Sequence, residues 1–153
     1  MLGKLTRWLR LLGHDIKYFN SLEDTQLIKI AKEENRTLLT RDLELFQQAM
    51  TKDVNTFVVE GETEAEKLAN LAKQFELNLK IDVNVSRCPK CNTKIRYVSK
   101  DLLIDRIPKG TFSNYDKFWE CPSCGQTYWQ GAHWKRIGNT LREARQTLKK
   151  LKM

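Results

Sequence analysis

The four cysteines of the chain stand in two Cys-x-x-Cys pairs: Cys88 with Cys91, and Cys121 with Cys124, with 29 residues between the pairs. Each pair can close a tight turn, and two such turns can bring four thiolates to the corners of a tetrahedron around Zn²⁺, with Zn–S distances near ~2.3 Å. A proline follows the first cysteine of each pair and a glycine follows Cys124, and both residue types favour such turns. The pattern therefore predicts a zinc ribbon.

Four thiolates complete the coordination of zinc and leave no position for water, so the predicted metal is structural and its binding contributes to the free energy of folding. The alternatives are two disulfides in a secreted domain or a redox pair. No secretory leader and no thioredoxin-like pattern is apparent in the sequence, so we expect zinc thiolates in a reducing compartment, the cytoplasm. His133 is a further candidate ligand, but four cysteines already suffice.

Two aspartates are candidates for a second kind of chemistry. Asp24 and Asp42 each stand where a loop leads into a helical pattern, and Asp42 follows a short apolar strand pattern. Open α/β sheets place ligands at the carboxyl ends of their strands, and carboxylates there can hold Mg²⁺ or Mn²⁺, which activates water for hydrolysis. An aspartate before an apolar helical run is equally the ordinary helix N-cap, and this alternative stays open.

The elements that would position these aspartates alternate along residues 1–80. The spacing of apolar residues predicts helices over 1–12, 21–31, 43–49 and 62–75, and strands over 15–19, 36–40 and 54–59. Such alternation predicts an α/β domain over residues 1–80 with a small, parallel-rich sheet.

A different pattern follows residue 80. Residues 78–86 are short and polar and predict a linker, and residues 87–134 would form the zinc ribbon, with strands over 94–98 and 102–107 and a turn at 107–110. The last segment, 135–153, predicts a basic C-terminal helix centred on residues 138–151. No apolar run approaches the ~20 residues that span a bilayer, so we expect no membrane contact.

The formal net charge is +8, and it is unevenly distributed. Residues 1–80 carry 12 Lys/Arg against 13 Asp/Glu, whereas residues 81–153 carry 15 against 6. This asymmetry predicts that the second half binds a polyanion, although a merely solvated cationic surface is the alternative. The candidate phosphate contacts are Lys4, Arg7, Arg10, Arg41, Lys135, Arg136, Arg142 and Arg145. Aromatic residues around the second cysteine pair are expected to pack on the metal site, with base stacking as the alternative.

Several motifs occur together: Met-Leu-Gly-Lys-Leu-Thr-Arg-Trp-Leu-Arg-Leu-Leu-Gly at 1–13, Asp-x-x-Leu-Ile-x-x-Ala at 24–31, Leu-Leu-Thr-Arg-Asp at 38–42, both cysteine pairs, and Tyr-Trp-Gln-Gly-Ala-His-Trp at 128–134. In this combination the chain resembles the Mut-seven carboxy-terminal RNase family over nearly its whole length. The resemblance implies a PIN-like three-layer sandwich followed by a zinc ribbon, RNA as the substrate class rather than a small molecule, and metal-dependent hydrolysis of phosphodiesters.

The resemblance also assigns residues. The second and third acidic positions of the family fall on Asp24 and Asp42, its basic first helix carries Lys4, Arg7 and Arg10, and Arg41 belongs to the strand-end motif. Family members begin with a short strand that ends in a first aspartate just before the Met-Leu-Gly helix, and the given sequence starts at that methionine. A site without that aspartate is expected to be slow or inactive.

Two hypotheses follow. The first is an RNA-binding ribonuclease that uses Mg²⁺ or Mn²⁺ at Asp24 and Asp42. The second is a non-catalytic RNA-binding or ribosome-associated protein with the same basic surface. A DNA-binding ribbon is a third and weaker alternative.

Overall fold

The computed structural model describes residues 2–153, so the predicted helix start at Met1 lies outside the described residues. In the first part of the chain the elements are α1 (Gly3–Leu11), α2 (Asp24–Glu33), β1 (Leu38–Thr40), α3 (Leu43–Thr51), β2 (Thr56–Val58) and α4 (Glu64–Phe75). They are followed by β3 (Arg96–Val98), α5 (Lys109–Asn114), β4 (Phe118–Glu120), β5 (Thr127–Tyr128) and α6 (Ala132–Leu151). The predicted α/β class is confirmed.

The first sheet consists of β1 and β2, which pair in parallel with Leu38 opposite Thr56 and Thr40 opposite Val58. Helix α3 connects the two strands, as a parallel pair requires. Successive side chains of a strand point to opposite faces, and here Leu38 packs against α2 and α3 while Leu39 packs against the core of α1, α4 and α6. Helices therefore cover both faces of this small sheet.

The predicted strand at 15–19 is wrong, because these residues join no ladder among residues 2–153. Their polar backbone groups are bound by side chains instead. The amide of Ile16 donates to Asn92 Oδ1 at 3.1 Å, and the carbonyl of Asp15 accepts from Arg36 Nη1 at 3.3 Å. The alternation of apolar residues is real, but the hydrogen-bonding partners are not a neighbouring strand.

Helix α6 completes the core of the first part of the chain. Leu141 and Ala144 are buried in one cluster with Leu68 and Leu71 of α4 and Leu9 of α1. The helix begins at Ala132, earlier than the predicted residue 138, because Gly138 lies inside the helix and does not start it. The basic C-terminal segment is thus amphipathic, with one face packed and the other exposed.

The zinc-ribbon region carries its own antiparallel sheet in the order β3-β4-β5, with Tyr97 opposite Trp119 and Trp119 opposite Tyr128. The predicted strand over 94–98 is found at Arg96–Val98. The predicted strand over 102–107 is wrong: Lys100–Leu103 is a 3₁₀ helix, and the turn expected at 107–110 leads into α5. Leu103 and Ile107 are buried in the same cluster. They are four residues apart, which is a helical spacing, although the residue types of this segment also fit a strand.

Residues 78–86, predicted as a linker, end in direct contact with α1. The Ser86 hydroxyl donates to the carbonyl of Leu11 at 2.6 Å, and the amide of Arg87 donates to the carbonyl of Arg10 at 2.8 Å. Leu79 is buried in the core of the first part. Within residues 2–153, no helix is both long and apolar enough to cross a bilayer.

Candidate functional site

The four cysteine sulfurs come together as the sequence predicts. Cys88 Sγ lies 3.7 Å from Cys124 Sγ, Cys91 Sγ lies 3.2 Å from Cys121 Sγ, and the four sulfurs are all within 4.8 Å of one another. A tetrahedron with Zn–S bonds of ~2.3 Å has edges of about 3.8 Å. All four are free thiols that cluster as a potential metal site, and this donor set is consistent with the predicted structural zinc ion.

Both cysteine pairs close their turns in the same way. The amide of Cys88 donates to the carbonyl of Thr93 at 2.8 Å, and the amide of Cys121 donates to the carbonyl of Gln126 at 2.9 Å. The residue after each second cysteine is left-handed, with φ of 72° at Asn92 and 78° at Gly125. Glycine adopts this conformation without steric cost, and asparagine tolerates it better than most residues.

Tyr128 belongs to the metal site, although spacing alone did not predict this. Its hydroxyl lies 2.9 Å from Cys88 Sγ, and burial, followed by the hydrogen bond to Cys88, raises the pKa of Tyr128. The phenol therefore stays protonated and can donate to a thiolate. Such outer hydrogen bonds orient metal ligands. The signal in the sequence was a tyrosine four residues after Cys124.

The thiols differ in acidity before a metal binds. Hydrogen bonding with Thr93, whose Oγ1 lies 3.5 Å from the sulfur, lowers the pKa of Cys91 to about 6. Burial raises the pKa of Cys121 to about 11. Because zinc binds thiolates, loading this site must release the protons that such groups still carry near neutral pH.

Arg10 ties the first cysteine pair to α1. Its side chain is only 9% exposed, and it donates from Nε to the carbonyl of Ile16 and from Nη1 to the carbonyl of Pro89, both at 2.9 Å. Burial lowers the pKa of Arg10, and the nearby Cys88 opposes that shift. The structure thus places this predicted phosphate contact inside the protein, where its guanidinium joins two segments 73 or more residues apart.

Asn92 makes a second link of the same kind. Its Nδ2 donates to Asp15 Oδ1 at 2.6 Å while its Oδ1 accepts from the amide of Ile16. The other oxygen of Asp15 accepts from Arg36 Nη2 at 3.0 Å. The hydrogen bonds from Arg36 and Asn92 lower the pKa of Asp15.

Asp42 lies at the carboxyl end of β1 and is exposed. Its Oδ1 accepts from the amides of Glu44 at 2.9 Å and Leu45 at 3.4 Å, so the N-cap alternative holds for one oxygen. Its other oxygen makes no hydrogen bond to the described residues. The amide of Asp42 donates to the hydroxyl of the buried Thr40 at 2.9 Å, which fixes the start of α3.

Asp24 is the first residue of α2, and its neighbour Glu23, not Asp24, is the N-cap. Helix α2 leads into β1 through a short turn and packs with α3 against Leu38. Among residues 2–153, the four cysteines are the one group of three or more acidic, histidine or cysteine side chains close enough to share a metal ion. Asp24 and Asp42 therefore belong to no such group here.

The other predicted phosphate contacts divide into two sets. Arg41 and Arg145 are half-buried and donate to the carbonyls of Gly61 and Leu79 at 2.7 and 2.8 Å. The exposed set is Lys4, Arg7, Lys135, Arg136 and Arg142. These side chains lie on the outer faces of α1 and α6.

A cavity of about 450 Å³ is lined by α1, residues 14–19, α2, β1 and the end of α4, and it is mostly apolar. Neither Asp24 nor Asp42 lines it. His14 does, and burial lowers the pKa of its imidazole.

Comparison with known families gives a match to the Mut7-C RNAse domain over residues 1–141. Neither a curated protein nor a solved structure matches the chain. The matched range spans α1, both strands of the parallel pair, all four cysteines and the first half of α6. This chain belongs to the Mut7-C RNAse domain family.

Proposed function

We propose that this protein is a cytoplasmic, RNA-binding ribonuclease of the metal-dependent type, with a PIN-like three-layer sandwich as its nuclease module. The family match over residues 1–141 carries the proposal. The helices on both faces of the β1–β2 sheet support the layered form, and the position of Asp42 after β1 supports a site at that end of the sheet.

Asp24 and Asp42 are the proposed ligands of Mg²⁺ or Mn²⁺, which when bound supplies an activated water and neutralises charge on phosphate. The free oxygen of Asp42 is available for this role while Oδ1 holds the helix end. Arg41, held by the carbonyl of Gly61, would keep a guanidinium beside the scissile phosphate. Thr40 fixes the backbone that carries both residues.

Exposed cations would supply the affinity for RNA. Lys4 and Arg7 lie on the outer face of α1, and Lys135, Arg136 and Arg142 lie on that of α6. Phosphate neutralisation makes such binding weaken as salt rises. Arg10 and Arg145 donate to backbone carbonyls, and their proposed contribution is to position these helices.

The test is cleavage of a labelled structured RNA with Mg²⁺ or Mn²⁺ by the wild type and by Asp42→Asn. Asparagine is as good an N-cap as aspartate, so α3 should persist while the charge is lost. We expect cleavage to fall by about 100-fold or more with RNA binding nearly unchanged.

Asp53→Asn is the matched control, because it makes the same change at an exposed aspartate after α3. It should cleave like the wild type. Undiminished cleavage by Asp42→Asn would refute the assignment of Asp42.

The second candidate is a non-catalytic RNA-binding protein, with ribosomal RNA or the ribosome as its partner. It is favoured by Asp42 Oδ1 capping α3 and by the finding that, within residues 2–153, neither Asp24 nor Asp42 belongs to a group of three or more side chains close enough to share a metal ion. Salt-sensitive RNA binding without cleavage by either the wild type or Asp42→Asn would support it.

A further inference from the structure

A second cavity, of about 310 Å³, lies between the zinc ribbon and the start of α6. Its volume is at the lower end of the range for small-molecule sites, roughly 300–1,000 Å³. Its wall is largely apolar and includes four large aromatic side chains, those of Trp119, Tyr128, Trp129 and Trp134. Flat π-faces of this kind are the surfaces on which nucleobases stack.

The aromatic wall is held in place by the surrounding structure. Tyr128 is fixed by its hydrogen bond to Cys88, and Trp129 packs on Phe118 with ring centroids 6.2 Å apart. Gly131 lets the chain pass close to the indole of Trp129, since a Cβ there would lie 2.8 Å from its Nε1. The cavity is therefore preformed, which lowers the entropic cost of binding.

One wall residue is a cation. Arg87 lines the cavity, and its Nη1 donates to the carbonyl of Asn92 at 2.9 Å. This hydrogen bond holds a guanidinium at the wall, where it suits a ligand that carries carbonyl oxygens or phosphate.

Two cations lie close to the cavity along the chain. Lys135 and Arg136 follow Trp134 directly in the first turns of α6 and are exposed, outside the cavity wall. Cations near an aromatic pocket suit a ligand that joins a flat base to a phosphate. The charge surplus of residues 81–153 points to the same class of ligand.

We propose that this cavity takes an unpaired nucleobase of single-stranded RNA, stacked on the tryptophan wall beside the guanidinium of Arg87. The inference rests on the proposed RNA-binding function and adds a base-binding site apart from Asp24 and Asp42. Lys135 and Arg136, exposed on α6, would contact phosphates further along the same strand.

The test compares binding of a short oligouridine with that of an abasic sugar-phosphate chain of equal length and charge. Zinc-loaded full-length protein is used without added Mg²⁺ or Mn²⁺, so that no cleavage intervenes. Base stacking should make the oligouridine bind about 5- to 150-fold more tightly than the abasic chain.

Trp134→Ala removes one wall and should abolish most of this preference while leaving affinity for the abasic chain unchanged. Gly131→Ala provides a second variant that keeps every aromatic ring and every charge but displaces Trp129. Tyr97→Ala, at an exposed ribbon aromatic outside the cavity, is the control and should retain the preference.

Equal binding of the two chains by the wild type would overturn the base site while leaving RNA binding intact. A preference that survives both Trp134→Ala and Gly131→Ala would also overturn it. Failure of both chains to bind would overturn the base site and the RNA-binding function together.

Discussion

The two cysteine pairs have the same backbone geometry but different surroundings. After the first pair, left-handed Asn92 binds Asp15 and Ile16 through both ends of its amide. After the second pair, left-handed Gly125 has open space where a side chain would be, and Cys124 is exposed. One turn therefore anchors the ribbon to the segment that follows α1, and the other makes no such side-chain contact at its left-handed residue. Identical metal-binding geometry need not imply identical roles in the fold.

Removal of zinc should produce the largest difference between the two turns. A structural zinc site contributes on the order of 10 kcal/mol to the folding of a small module. Chelation should abolish amide protection around the second pair, whereas the amide of Arg87, bonded to the carbonyl of Arg10, should keep part of its protection.

Hydrogen exchange with and without a chelator measures this difference, and addition of zinc should restore protection at both turns. Equal loss of protection at Arg87 and Gly125 would show that the first pair is not anchored independently of the metal.

Exchanging the two left-handed residues should have an intermediate effect. Asn92→Gly keeps the backbone conformation but removes two hydrogen bonds, so we expect a loss of about 1–3 kcal/mol in the free energy of unfolding. Gly125→Asn adds a side chain in open space and should cost less than about 1 kcal/mol.

Denaturant unfolding of the zinc-loaded variants measures both values. Similar costs for the two substitutions would mean that the contacts of Asn92 with Asp15 and Ile16 contribute little.

The smallest effect should come from protonating Asp15. Hydrogen bonds from Arg36 and Asn92 hold the pKa of Asp15 below the ordinary aspartate value of about 3.9. The contribution of its charge is therefore present above that pH and is lost as the pH falls through the folded-state pKa. The side chain is 46% exposed, so we expect less than about 1 kcal/mol.

The measurement is the difference in the free energy of unfolding between the wild type and Asp15→Asn across acidic pH. The difference should shrink as the pH falls below about 4. A difference that is constant across this range would contradict the role of the Asp15 charge.

Local features of this molecule were predictable from sequence, and long-range ones were not. The metal-binding turns follow from cysteines three residues apart, and β1 and α3 follow from short apolar patterns around Asp42. The partners of Arg10 and Asn92 lie up to 79 residues away, and no periodicity encodes them. The same limitation explains the wrong strand at 15–19. The apolar residues there do alternate, but the backbone groups bind the side chains of Asn92 and Arg36 and not a neighbouring strand.

The residues of the candidate sites also divide into those that the sequence predicted and those that it did not. The zinc ligands were predictable because the chemistry of four thiolates allows few alternatives. Asp42 was ambiguous between a cap and a metal ligand; the structure shows the cap through Oδ1, and the metal-binding role stays a prediction. Tyr128 was missed as a partner of Cys88 because an aromatic residue near a metal site is most often packing.

Because α6 is part of the core, the core of the first part of the chain can be completed only late in translation. The apolar face of α4 is made early, but Leu141 and Ala144, which cover it, are made only after the whole ribbon. While translation continues, Leu68 and Leu71 lack that cover. They then expose an apolar surface to which other nascent chains and chaperones can bind. Ribosome pausing or truncation between residues 80 and 132 would prolong this exposure and favour aggregation.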